Sequence, residues 1–272
     1  MTISMSTQTT RRRSRAVPLM LLGACLFGAP SGARAQTPEK IIAANIAASG
    51  GEEAIQRITN FRNTGRVIVE SPIFGKLEGT LEAIRVPGRG YYEHVVLGPI
   101  QQNKGWDGTR GWEQGPAGLR TLTGVELASL ATQSFVNPFV ALRTLAPAGL
   151  RIERLQDAEV HGRPHYVLAV KTADSPTSTM YIDRQTNLLT RNSVMVAVPN
   201  LGEAPAVTDV GDYEVVAGVS MPTTMTITVE GISTTRLTLK STVVNTAVDA
   251  TIFAAPSGGA TPAPPAAAGE TR

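Results

Sequence analysis

Three histidines, His94, His161 and His165, and one cysteine, Cys25, are the whole stock of imidazole and thiol metal ligands in 272 residues. His161-Gly162-Arg163-Pro164-His165 spaces two imidazoles four apart. Glycine and proline forbid the helix that would turn both rings to one metal, so the run reads as a hairpin turn with two half-exposed imidazoles. Asp209, Asp212 and Glu214 could clamp calcium, but they lack the regular oxygen spacing of a calcium loop. They read as a solvated turn leading into a strand. Nucleophilic catalysis has no better foothold: the sequence holds no Gly-x-Ser-x-Gly elbow and no phosphate-binding loop, and Asp107-Gly108-Thr109 is not Asp-Thr-Gly. No catalytic residue, metal or cofactor is expected. What remains is noncovalent binding by apolar and aromatic side chains.

The elements that would position such side chains are strands. From Pro222 to Val229, Met221, Thr223, Met225, Ile227 and Val229 share one parity and Thr224, Thr226, Thr228 and Glu230 the other, giving one greasy and one wet face. Similar runs cover Val67 to Ser71, Leu77 to Val86, Tyr166 to Thr172, Leu188 to Val196 and Leu237 to Val244, separated by turn residues such as Pro87-Gly88 and Gly231. An antiparallel meander this large must curl and enclose either side chains or a ligand. Helices are expected from Thr37-Pro38-Glu39 to Gly50-Gly51, over Glu52 to Ile58, from the capping box Thr123-Gly124-Val125-Glu126, and from Asn137-Pro138. Phe139, Val140, Leu142 and Leu145 make the last one apolar around much of its surface, which suits a cover over the mouth or concave face of the sheet. Phe135, Phe139, Leu142 and Leu145 then either pack on an empty sheet or close over a ligand. Trp106 and Trp112 could share a face as core or as cavity wall.

The ends of the chain set the compartment. Arg11-Arg12-Arg13-Ser14-Arg15, the apolar run Ala16 to Ala29 and Ala33-Arg34-Ala35 have the form of an export signal over residues 1–35, too short for a membrane span. Leu22-Gly23-Ala24-Cys25 offers the alternative of a lipid anchor at Cys25. Five of the 25 basic residues and none of the 22 acidic ones precede Gln36, so the remainder carries about −2. No basic stripe is left for nucleic acid or an anionic membrane surface. Removing Cys25 also leaves no disulfide. Residues 36–256 then form a single domain, followed by a Pro/Ala-rich disordered tail over 257–272.

Several stretches carry a family likeness. Gly79-Thr80-Leu81-Glu82-Ala83-Ile84-Arg85-Val86-Pro87 with Tyr91-Tyr92, then Trp106-Asp107-Gly108-Thr109-Arg110-Gly111-Trp112, then Tyr181-Ile182-Asp183, Asn187-Leu188, Asn245, Val248-Asp249 and Phe253-Ala254-Ala255-Pro256 occur in order over residues 38 to 256. In this the chain resembles the periplasmic lipoprotein-carrier (LolA-like, outer-membrane lipoprotein-sorting) family. The resemblance implies an α+β fold, a curved antiparallel half-open β-barrel with a helical lid and an N-terminal helix. It also implies a cavity that receives lipoprotein acyl chains or another hydrophobic ligand. Arg85 matches, one residue off, the basic residue that helps to hold the family's lid, here by bonding carbonyls around Ala131 to Asn137. Fold does not carry function by itself.

Two functions follow. One is a periplasmic carrier for a hydrophobic ligand, with Arg85, Trp106, Trp112, Phe135, Phe139, Leu142 and Leu145 as ligand or lid residues; the other is a structural or interaction module of envelope assembly whose cavity is filled with side chains, and envelope proteins are possible partners of either. An exported form beginning at Gln36 is expected, and its intact mass checks this. A diacylated mass beginning at Cys25 would establish the anchored alternative.

Overall fold

A computed structural model describes residues 36–145, 148–173, 175–198 and 202–256; the expected signal and tail lie outside them. Helix α1 (Pro38–Ala48) has proline in its first turn behind an extended Thr37, and Glu39 there suits the positive helix end. It stops at Gly50-Gly51, both at positive φ, and a Cβ on Gly50 would lie 2.2 Å from the Gly218 carbonyl oxygen. Helix α2 (Glu52–Gln56) ends two residues before the expected Ile58.

The first run of strands is β1 (Phe61–Ser71), β2 (Gly75–Val86), β3 (Gly90–Leu97), β4 (Ile100–Trp106), β5 (Gly111–Gly115) and β6 (Gly118–Leu122). After helices α3 (Gly124–Gln133) and α4 (Pro138–Leu145) come β7 (Arg151–Arg154), β8 (Ala158–Val160), β9 (Arg163–Thr172), β10 (Ser175–Asp183) and β11 (Leu189–Val198). The last strands are β12 (Gly202–Val216), β13 (Val219–Val229) and β14 (Ser233–Val244), before a 3₁₀ turn at Ala250–Phe253. Among the described residues they form one antiparallel sheet of 14 strands, in the order β6-β5-β4-β3-β2-β1-β14-β13-β12-β11-β10-β9-β7, with β8 also on β9. It curves without closing. β6 and β7 remain apart as edges, and α3 and α4 make the chain's crossing between them.

Pairing fixes the faces. Phe61, Arg85, Tyr91, Trp106, Gly111 and Leu122 stand opposite one another across six strands, and therefore on one face. The helices cover this row. Tyr91, Trp106 and Leu122 pack with Leu130 of α3, while Phe61, Leu168, Ile182 and Met221 pack with Ile41 of α1 and Phe139 and Leu142 of α4. The opposite, convex face carries ion pairs such as Arg62 with Glu82 and Arg236 with Glu70. The α+β half-barrel with helices expected from the sequence is the observed architecture.

Three sequence expectations change. The Asp107–Arg110 turn sets Trp106 opposite Gly111 and Gly105 opposite Trp112, so the two indoles point to opposite faces. Trp112 belongs to the convex face, where Ile84, Tyr92 and Phe253 form a separate apolar cluster. His161 is exposed at the β8–β9 turn, but His165 is buried at 1% exposure, bonded through its ring nitrogens to the Arg163 carbonyl and the Thr190 hydroxyl. Asp209, Asp212 and Glu214 lie within β12 rather than in a turn before it, and Asp209 takes two bonds from Arg191, at 2.6 and 3.0 Å.

The convex cluster needs two glycines: a Cβ at Gly105 would sit 2.3 Å from the Trp112 ring and one at Gly90 2.6 Å from the Phe253 ring. The Trp112 indole N–H donates to the Phe253 carbonyl at 2.9 Å. Phe253→Ala should therefore cost about 3–5 kcal/mol in urea unfolding, a value a surface residue would not give. A second test concerns Asp183, whose Oδ1 accepts the N–H groups of Gln185 and Thr186 at 2.8 Å. Burial alone would raise this carboxyl, but those N–H groups and the Arg163 guanidinium outweigh it and hold the pKa below its ordinary 3.8. The folded value is the lower one, so the stabilisation is present above the ordinary aspartate pKa and is lost as the pH falls through the depressed one. Acid titration of the unfolding free energy should fall steeply below about pH 4, and Asp183→Asn should flatten that limb.

Candidate ligand-binding site

Along the strands, away from the helices, the concave face continues in apolar rows. Gly65 stands between Leu81 and Leu239, Val67 between Gly79 and Leu237, and Val69 opposite Leu77. Leu237 faces Met225, Val95 faces Leu81 and Leu97 faces Gly79. The greasy parity of β13 is thus divided. Val219 and Met221 are buried under the helices, whereas Met225 and Val229 are half-buried and Ile227 is 38% exposed. In the rows between, Val67 and Leu81 are buried at 5% and 8% exposure, and Val69, Leu77, Val95, Leu97, Leu237 and Leu239 are half-buried. A trough of Leu, Val, Ile and Met is left open between a packed helical end and the far hairpins. At the far hairpins a shallow hollow of about 330 Å³ is lined from both faces, by Glu70, Thr228 and Thr234 as well as Pro72, Val229 and Ser233, beside exposed Ile73 and Phe74.

The helical cover is tied down by buried polar side chains. The Asn137 amide donates to Asn45 Oδ1 at 3.0 Å and to Ser49 Oγ at 3.1 Å, while its own Oδ1 accepts the Phe139 and Val140 N–H groups that begin α4. Asn45 in turn donates to the Asn187 carbonyl in the β10–β11 turn at 2.8 Å. Ser134 Oγ accepts the Gly88 N–H at 3.1 Å and donates to Ala131. The ties therefore run from the α3–α4 junction to α1 and to the β2–β3 turn. Between α2, that turn and the junction is a half-open cavity of about 460 Å³, whose apolar lining is Ile55, Ile58, Pro87, Phe135, Val136 and Val140.

Arg85 has other partners than the sequence suggested. It donates to Asn63 Oδ1, and its guanidinium carbon lies 5.4 Å from the Phe61 ring centre and 5.2 Å from that of Tyr91. Its described hydrogen bond does not go to the 131–137 segment. Lid tethering falls to Ser134 and Asn137. Tyr91 donates to Glu93 at 2.7 Å, and burial, with the Glu93 carboxylate beside it, raises the phenol above its ordinary range.

The sequence-derived site residues therefore separate. Phe135 lines the rim cavity, and Trp106 packs under α3 next to Tyr91. Phe139, at 1% exposure, and Leu142 fill the core between α1, α4 and the β9–β10 pair, so a charge there tests folding before ligand. Leu145 is 38% exposed at the end of α4, and Trp112 is on the convex side. Val136, Asn45 and Ser49 were not singled out from the sequence. An asparagine immediately before a proline at a helix start was the available signal for the Asn137 cap.

No family model matches the sequence, and no curated protein matches it in sequence. Solved structures do resemble the fold. A LolA superfamily protein from Nitrosomonas europaea superposes with a TM-score of 0.54 at 12% identity, over 81% of this chain and 99% of that one. A DUF1329 family protein from Desulfovibrio piger gives 0.53 at 9% identity, over 79% and 96%. A domain named as an outer membrane lipoprotein-sorting protein, from Vibrio parahaemolyticus, gives 0.50 at 13% identity, over 78% and 96%. At such identities the likeness is one of fold, and the fold of this chain is that of the LolA-like lipoprotein-sorting proteins.

Proposed function

We propose that this protein is a noncatalytic binding or carrier protein of the periplasm, taking lipoprotein acyl chains or another hydrophobic ligand into the trough of its half-barrel. The observation that carries the reading is the open apolar half of the concave face. Full burial of a Leu, Ile or Val side chain is worth about 1.5–3 kcal/mol, and here Val69, Leu77, Val95, Leu97, Met225, Ile227, Leu237 and Leu239 are left short of it. A contiguous apolar surface held open by a rigid sheet marks a binding site. The fold likeness supports the same reading. No helix among the described residues is long and apolar enough to cross a membrane.

The packed helical half, with Phe139, Leu142 and Leu168 in contact, favours the interaction module in that region alone. Native mass spectrometry and lipid extraction of protein purified from the periplasm separate the two readings: bound lipid is expected. Ile227→Asp should weaken binding of a fluorescent fatty acid at least tenfold, since it places a charge against acyl chain, while circular dichroism stays unchanged because the site is already partly wet. Protein that is lipid-free and binds no fatty acid would return the molecule to the module class.

A further inference from the structure

We infer that the β1–β2 hairpin tip docks this protein on a lipid surface, with Ile73 and Phe74 entering the apolar part of one bilayer leaflet. The inference does not depend on what the trough binds. Pro72, Ile73 and Phe74 form the turn between β1 and β2. Ile73 is 73% exposed and Phe74 53%, and Ile73 is the most exposed large apolar side chain among the described residues. Hairpin turns ordinarily take Gly, Asn, Asp, Ser or Pro, and neither Ile73 nor Phe74 joins an apolar cluster of the core. Ile232, half-buried in the β13–β14 turn, lines the same hollow as Pro72. The end of the sheet is thus an apolar prominence rather than a single stray side chain.

A protruding tip is covered only by a partner with a matching socket or by a fluid that closes around it, and a bilayer is such a fluid. The backbone of the tip suits apolar surroundings, where an unpaired donor is costly. The Ile73 N–H donates to Ser71 Oγ at 3.1 Å, Ser71 pairs with Gly75 across the hairpin, and Pro72 has no N–H to satisfy. Gly75, at a φ of 77°, closes the turn without strain. No charge interrupts Ser71 to Gly75. Behind the tip stands a collar of ion pairs, Arg236 with Glu70 and both Arg66 and Lys76 with Glu78, which limits how deep the hairpin can go. Over residues 66–78 and 230–236 the cations are Arg66, Lys76 and Arg236 and the carboxylates Glu70, Glu78 and Glu230. These charges balance, so the attraction is apolar insertion and not the pull of a basic patch on anionic lipid.

Flotation of the chain from Gln36 onward with phosphatidylethanolamine–phosphatidylglycerol vesicles tests this. Protein is expected in the vesicle fraction, to within about twofold at low and high salt. Ile73→Glu or Phe74→Glu should lower the partition about tenfold or more, with circular dichroism unchanged because both positions are exposed. Val215→Glu is the matched control: Val215 is 67% exposed beside the β12–β13 turn, at the helical end of the strands, and its replacement should leave flotation unchanged. Insertion has its own signature. Trp106 and Trp112 are buried at 5% and 3% exposure, so Phe74→Trp adds an exposed indole whose emission should shift to the blue on adding vesicles and be quenched by lipids brominated in the acyl chain. Unaltered protein that stays in the buffer, flotation that Ile73→Glu and Phe74→Glu leave intact, or flotation abolished by salt would overturn the assignment. So would a dimer that ignores vesicles and that Phe74→Glu takes apart, which would give the tip to a second copy of the chain.

Discussion

The buried amide contacts that join Asn45, Ser49, Asn137 and Asn187 hold the helical cover to the sheet. A sheet with separate edges does not by itself dictate where the chain between those edges should lie. Apolar packing of α4 on α1 is compatible with small rotations and slides, because hydrophobic contact has little direction. A side-chain amide inside a core is different, since leaving it unpaired costs about 1–3 kcal/mol. Asn137 spends its donor on α1 and its acceptor on the first turn of α4, so a shifted helix would orphan several groups together. The network therefore selects one placement of the cover, and the extent of covered and uncovered concave face follows from that placement.

The second constraint is the pairing of β1 with β14, which joins the chain's first and last strands in the middle of the sheet. At its helical end it is clasped by asparagines: Asn245 accepts the Thr59 N–H at 2.8 Å, and Asn60 bonds both the N–H and the carbonyl of Thr246, at 3.1 and 2.8 Å. Beyond Thr64 the register shifts by one residue, which lets Gly65 face Leu239 and keeps the apolar parity of both strands concave. Along β1 the concave Phe61, Asn63, Gly65 and Val67 stay buried and Val69 is half-buried, while across the sheet Leu237 and Met225 are half-buried and Ile227 is 38% exposed. The sequence continues to place apolar side chains where the fold supplies nothing to cover them. Stability is left unrealised there, and a ligand can supply the missing contact.

Much of this was legible in the chain itself. Alternation in β2, β9, β13 and β14 gave both the strands and their faces, because parity is a property of the backbone and survives any detail of packing. The helix starts at Pro38 and Pro138 were legible for the same local reason. What failed depended on tertiary context. The even spacing of Trp106 and Trp112 suggested one face, but parity counts only along a continuous strand, and the Asp107–Arg110 turn reverses it. His165 reads as a turn residue from its Gly and Pro neighbours, yet it is the third residue of β9 and is bonded by Thr190, 25 residues further along the chain. Of the four lid candidates Phe139 and Leu142 turn to the core side of α4, since Phe139 and Val140 are equally apolar and only the position of α1 decides which of them turns toward the rim cavity.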